Sequence, residues 1–175
     1  MNSILELIKQ RRSIRKFLPQ AVEPEKVDVL IKSALMAPTS KNSKSWQFVM
    51  VDDTALLQQL AVSRPMGSTL IANAPLAIVV LADPSQSDAW LEDASIASAF
   101  LQLQVESLGL GSCWVQVARR PHNDKVTAEQ YIRGVLQIPD TMNVVNVIAI
   151  GYKNEERRPY DETKLPYDKI HRNRW

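Results

Sequence analysis

Within eight residues the chain carries Lys9, Arg11, Arg12, Arg15 and Lys16, in the run K-Q-R-R-S-I-R-K. Like charges at this density repel unless water or an anion offsets them. Guanidinium forks match phosphate oxygens two bonds at a time. Ser13 adds a hydroxyl donor among them. The set therefore suits a phosphate carried by a small ligand. The same residues also make an ordinary solvated basic turn after a helix, where cations complement the C-terminal dipole. The cluster alone favours that plainer reading. A nucleic-acid patch is a third reading, weakened by a net charge of only +2 and by the lack of surface aromatics nearby.

Other chemistry is scarce. Only five glycines are present, and neither G-x-G-x-x-G nor a Walker A sequence occurs. Two histidines, His122 and His171, and one cysteine, Cys113, do not supply a multi-Cys/His zinc centre. No G-x-S-x-G elbow supports a serine triad. His122 reads as a loop residue, and nothing near Cys113 in sequence would make it a nucleophile. A chain of this kind takes its hard chemistry from a cofactor.

Elements that would position these residues follow from patterning. Ser3 and Glu6 form a capping box for a helix to about Gln10, with Ile4, Leu7 and Ile8 as its apolar face. Pro24 sits in the first turn of a second helix, with Val27, Leu30, Ile31, Ala34 and Leu35 on one side. Pro38 stops it near Met36, and a polar loop runs from Ala37 to Ser45. Trp46 to Val51 reads as a strand, and Asp53 to Val62 as a helix. The continuous apolar run Pro75 to Ala82 reads as a strand buried on both faces. The longest helix spans about Asp88 to Leu108. Ala94, Ala97, Leu101, Val105 and Leu108 line one face and Ile96, Phe100 and Leu103 a second, so burial on most sides is expected.

Gly109 and Gly111 end that helix, and Ser112 to Val117 is a short strand. Thr127 and Gln130 cap a helix ending before Pro139. Val144 to Ile150 is the last strand, stopped by Gly151. From Tyr152 to Trp175 the chain is polar and aperiodic, the pattern of a tail that docks on another surface or stays unstructured. Interleaved helices and strands point to one layered α/β/α domain over residues 1–175. The lone cysteine excludes an internal disulfide, and the N-terminal residues lack a secretory apolar core. The longest apolar stretch, Leu70 to Ala82, is broken by Asn73 and Pro75 and is too short to span a bilayer. A cytoplasmic protein with no membrane or nucleic-acid partner is expected.

The loop A-P-T-S-K-N-S-K-S-W-Q-F-V, Ala37 to Val49, changes the balance. With the basic run before it, the sequence resembles the FMN-dependent nitroreductase family. That family opens with a helix, an R-x-S-x-R/K motif, a second helix and a P-S-S-x-N-x-Q-P-W-x-F loop. Arg11, Ser13 and Arg15 match the first motif; Pro38, Thr39, Ser40, Asn42, Trp46 and Phe48 match the second. Thr39 replaces the usual Ser, and Lys44-Ser45 replace Gln-Pro. N-A-P-L-A-I-V-V-L-A, the stretch Trp90 to Val117, V-V-N-V-I-A-I-G-Y and the tail R-R-P-Y-D-E-T-K continue the resemblance in order.

The resemblance implies an α+β fold, a three-layer α/β/α sandwich around a central mixed, mostly antiparallel sheet. It implies FMN as cofactor, NADH or NADPH as co-substrate, and a homodimer with shared active sites and a small-molecule electron acceptor. Arg11, Arg12 and Ser13 would hold the flavin phosphate, and Arg15 would approach the pyrimidine edge of the ring. Pro38, Thr39, Ser40 and Asn42 would reach the flavin of the partner subunit. Cys113 to Gln116 would pass along one face of the ring, with a backbone N–H of Val115 or Gln116 meeting N5. Trp114 would pack near the ring or in the core. Arg157 and Arg158 would complete the phosphate site, with Lys153 or Lys164 as alternatives. The tail would dock on the partner. Longer members carry Asn and Lys before the second strand, whereas M-G-S-T-L-I-A-N-A-P has no Lys. No side chain is implied as an essential acid or base. A flavin-binding or sensing protein without turnover, and a related flavin reaction such as reductive dehalogenation or flavin fragmentation, are the alternatives.

Overall fold

The apolar run after Pro75 forms a strand with no exposed residue, Leu76–Ala82 (β2), and the sheet is built outward from it. The computed structural model describes residues 3–175. Trp46–Val51 (β1) pairs with β2 on one side, and Asn143–Gly151 (β4) on the other. Gly111–Gln116 (β3) pairs with β4, giving the order β1-β2-β4-β3. All four strands run antiparallel to their neighbours; the parallel component is a single bridge, Ser13 to Ser112.

Alternation of side chains divides β2 between two cores. Ala77, Val79 and Leu81 face a layer made by Thr54–Ala61 (α3) and Ala128–Leu136 (α5). Leu76, Ile78, Val80 and Ala82 face Pro24–Leu35 (α2) and Trp90–Ser107 (α4). Both faces of the sheet are thus covered, which is why β2 is an unbroken apolar run and β4 is broken inside only by the buried Asn146. The expected capping box at Thr127 and Gln130 is present in both directions and starts α5. Asp53 caps α3 by accepting from Leu56 N–H at 2.9 Å. Ile4–Gln10 (α1) is capped by Ser3, which accepts from Glu6 N–H.

Two expectations about apolar faces are corrected. Helix α1 has no buried residue: Ile4, Leu5 and Ile8 are all exposed. On α4, Ala94, Ala97, Leu101 and Val105 are buried, but Ile96 and Phe100 stay 38% and 42% exposed. The helical period identifies an apolar stripe without saying what covers it, and within one chain nothing covers these two. Leu35 and Met36, at the end of α2, are exposed as well.

After α1 the chain runs extended along the open edge of β3. Ile14 N–H donates to the Ser112 carbonyl at 2.9 Å, Leu18 N–H to that of Tyr152 at 2.9 Å. Ile14 and Phe17 are buried and anchor the segment. They fit because the facing pair Gly111 and Gly151 has no side chains. A Cβ on Gly111 would lie 2.9 Å from the Ile14 side chain, and one on Gly151 would lie 2.6 Å from Pro75 and 3.1 Å from Phe17.

Gly111→Ala should therefore destabilise the protein by about 1–3 kcal/mol in urea unfolding, the range for overpacking. Ile14→Ala should cost about 2–5 kcal/mol alone. The double variant should cost less than the sum, because each change relieves the other. Additive costs would show that the two side chains do not compete for one space.

Candidate functional site

The edge of β3 has a spare row of backbone groups. In an antiparallel pair, successive residues turn their N–H and C=O alternately toward the partner and away. The Ser112 carbonyl accepts from Ile14 and the Gln116 carbonyl accepts from Arg64, so Ser112, Trp114 and Gln116 turn outward. Val115 turns inward to Val147 and is buried. Of the two N–H groups expected from sequence to meet a ligand here, that of Val115 is committed to the sheet. The outward one belongs to Gln116. Trp114 is half-buried against the α2/α4 core, and its Nε1 donates to the Gln116 side chain at 2.9 Å.

Beside this edge lies a cleft of about 510 Å³ lined by Arg15, Lys16, Gly67, Asn73, Cys113 and Trp114, among others. Arg15, Lys16 and Asn73 also line a neighbouring cleft with Asp52, Thr54 and Asn154. Burial pushes the Cys113 thiol up, against the opposing pull of Arg15 and Ser13, so the thiol stays protonated. His122 stacks on Tyr131 with ring centroids 4.2 Å apart, and its Nδ1 lies 3.3 Å from the Ser63 carbonyl.

The tail returns to the basic segment. Tyr160 N–H donates to the Lys9 carbonyl at 3.0 Å, and Lys9 pairs with Glu162 at 2.6 Å. Arg12 lies over the Tyr160 ring and donates to the Arg158 carbonyl. Glu155 accepts from the N–H groups of Arg15 and Lys16 and pairs with Arg157 at 2.6 Å. Among the basic residues expected to complete an anion site, Lys153 is paired with Glu106, Lys164 with Asp161 and Arg157 with Glu155. Arg11, Arg15 and Arg158 have no carboxylate partner among the described residues. Glu155 and Arg64 carry no motif, and reading the sequence did not find them; Asn73 opens the N-A-P-L-A stretch but was not singled out for the site.

Pro38, Thr39, Ser40 and Asn42 lie elsewhere. Their loop enters β1 at Trp46, which pairs with Ala82, whereas Ser13 meets Ser112, whose row ends at Leu76. The two clusters stand at opposite ends and opposite edges of the sheet, three strand spacings or about 14 Å apart across it alone. One chain does not bring them together. The loop is nonetheless built with care. Lys41, Asn42 and Lys44 all have positive φ, at 51°, 55° and 50°, which costs a non-glycine residue about 1 kcal/mol or more. Asp93, 2% exposed in the first turn of α4, accepts from Ser40 N–H at 2.8 Å and from the hydroxyls of Ser43 and Ser87. Lys44 N–H donates to Thr39 Oγ1 at 3.1 Å, so the threonine hydroxyl closes the loop.

Comparison with known proteins decides the family. The model of the nitroreductase family matches residues 8–66 and 57–152. The chain belongs to the nitroreductase family. A protein of Archaeoglobus fulgidus, provisionally named an NADH dehydrogenase/NAD(P)H nitroreductase, is 33% identical over the whole of both chains. An FMN reductase (NADPH) of Bacillus subtilis is 28% identical over 87% of this chain and 66% of its own. The solved structure of an FMN-dependent nitroreductase from Clostridium difficile R20291 superposes with a TM-score of 0.96 at 45% identity, covering 98% of this chain and 99% of that one. The three-layer fold around an antiparallel sheet is therefore that of the nitroreductases. Among the described residues, no helix is long and apolar enough to cross a membrane.

Asp93→Ala should loosen the 38–45 loop and cost about 2–3 kcal/mol, since an acceptor of charge-assisted bonds is lost in a buried place. Limited trypsin digestion should then cut sooner at Lys41 or Lys44; unchanged digestion would count against Asp93 as the anchor. Glu155 behaves differently with pH. Burial would raise its carboxyl, but the N–H groups of Arg15 and Lys16 and the Arg157 guanidinium hold it below the usual range. Its contribution is full above the ordinary glutamate value of about 4.3 and is lost as pH falls through the lowered folded value. Glu155→Gln should flatten the acid limb of the stability curve in that window; an unchanged limb would show that Glu155 is not a source of it.

Proposed function

We propose that this chain is an FMN-dependent oxidoreductase that passes electrons from NAD(P)H to a nitro-aromatic, quinone or similar acceptor, as a homodimer whose sites are shared. The observation that carries the reading is the open edge of β3, with an outward Gln116 N–H, flanked by cations that no carboxylate offsets. The names of its relatives, FMN-dependent nitroreductase, FMN reductase (NADPH) and NADH dehydrogenase/NAD(P)H nitroreductase, support it.

The donor set fits FMN. Arg11 and Arg158, which no carboxylate holds among the described residues, would hold its phosphate with the Ser13 hydroxyl, and Arg12 pins the tail that carries Arg158. Arg15, in the cleft with Cys113 and Trp114, would meet the pyrimidine edge of the ring. The Gln116 N–H would donate to the ring nitrogen that receives hydride. When bound, FMN supplies the redox chemistry, taking hydride from NAD(P)H and giving two electrons to an acceptor that follows in the same place, a ping-pong scheme. The protein's part is to bind, orient and balance charge. In this reading no side chain serves as an essential acid or base, and Cys113 stays a protonated thiol.

The partner supplies what one chain lacks. Pro38, Thr39, Ser40 and Asn42 would complete the site of the other subunit, and the exposed residues past Glu162, among them Tyr167 and Ile170, would dock there. The exposed apolar side chains of α1, α2 and α4 give the two copies a surface to share.

The purified protein should be yellow, and NADH or NADPH should bleach it under anaerobic conditions. Arg11→Ala should weaken FMN binding about 10–100-fold, the worth of one charge-assisted contact. Phe100→Asp should yield monomers in sedimentation and lose FMN with them. A colourless wild-type chain that takes up no FMN would end this reading; FMN that no pyridine nucleotide reduces would leave a flavin-binding protein without turnover.

A further inference from the structure

The stretch before β2, from Met66 to Pro75, contains no lysine, yet a cation reaches the same edge from just ahead of it. Arg64 lies in the turn after α3, and its Nη1 donates to the Gln116 carbonyl at 3.0 Å. Gln116 is also the residue whose N–H points off the open edge of β3. The turn holds Arg64 in place. Its backbone N–H donates to Ser68 Oγ at 3.2 Å, and that buried hydroxyl donates to the Ala61 carbonyl at 2.8 Å. Gly67, at φ 87°, leaves its open side to the guanidinium, which lies 3.7 Å from where a Cβ would stand. The loop after β3 is tied to this turn through a His122 ring nitrogen 3.3 Å from the Ser63 carbonyl.

Arg64 has no carboxylate partner among the described residues. It is half-buried, and its charged neighbour is another cation: burial weakens its hold on its proton, and Arg120 weakens it further. A partly desolvated cation next to a second one, held by a carbonyl and not by a carboxylate, is a favourable place for the electron-rich atoms of a ligand. Its reach to the Gln116 carbonyl fixes where those atoms must come, at the ring end of the edge and not at the phosphate end beside Ser13.

We propose that Arg64 binds the electron-rich carbonyl edge of the flavin ring and offsets the negative charge that edge gains on reduction. This rests on the FMN reading above. The hydride comes from NAD(P)H, which leaves as NAD(P)+, and the added charge is shared between Arg64 and Arg15 as its counter-cations.

Dissociation constants for oxidised and for dithionite-reduced FMN, measured on wild type, Arg64→Gln and Arg64→Lys, test this together with the potential of each holoenzyme by anaerobic dye equilibration. Arg64→Gln should lose about tenfold more affinity for reduced than for oxidised FMN. For a two-electron couple that lowers the potential by about 30 mV. Arg64→Lys should recover most of the shift. Melting temperatures of the apoproteins identify a folding defect, and Arg64→Met, which keeps the apolar stem, replaces Arg64→Gln if that variant does not fold. An unchanged affinity ratio and potential in a folded neutral variant overturns the inference alone. A wild-type chain that binds no FMN overturns the proposed function and this inference with it.

Discussion

The close approach of Ile14 and Phe17 to Gly111 and Gly151 is the contact on which the rest depends. It lets an extended segment lie against the end of a sheet at a distance that any Cβ would forbid. Burial of the two apolar residues then fixes the directions of those between and around them. Ser13 and Arg15 cannot move without moving the core. A run of charges that repel one another is in this way held by two hydrophobic contacts and a pair of missing side chains.

Held there, the cations are only partly neutralised. Glu155 uses its carboxylate on two backbone N–H groups and one arginine, and so orders the segment without quenching Arg11 or Arg15. A carboxylate facing each guanidinium would cancel the local potential. The arrangement keeps positive potential along one edge and puts the compensating anions behind it. Arg64 extends that edge from a different element, past the outward N–H of Gln116.

Much of the fold was legible in the sequence because its signals are local. Apolar runs, continuous in β2 and broken only by Asn146 in β4, named those strands, Pro24 and Pro38 bounded α2, and Thr127 with Gln130 announced α5. The basic motif and the polar loop were legible as types of residue in a familiar order. What was hidden is relational. Amphipathic period marks Ile96 and Phe100 as apolar but not as uncovered. Nothing in A-P-T-S-K-N-S-K-S says that three of its residues take left-handed conformations, because an acid from a helix fifty positions later holds them. Strand parity, which turns Gln116 out and Val115 in, needs the register with β4. Arg64, Asn73 and Asp93 are single residues whose meaning comes only from what the sheet brings beside them.

The basic segment begins at the ninth residue, yet its neighbours are β3, the end of β4 and the tail to Glu162. During synthesis it has nothing to lie against until nearly the whole chain has left the ribosome. Early in translation it is an unpaired cationic arm, and the strand edge it covers does not yet exist. The basic segment is thus among the last parts of this fold to assemble, although it precedes the sheet in sequence. A chain stopped before the tail would keep the sheet, the two cores and the Ile14–Gly111 contact but lack Glu155 and Glu162, so loss of order in the basic segment need not be accompanied by loss of the core.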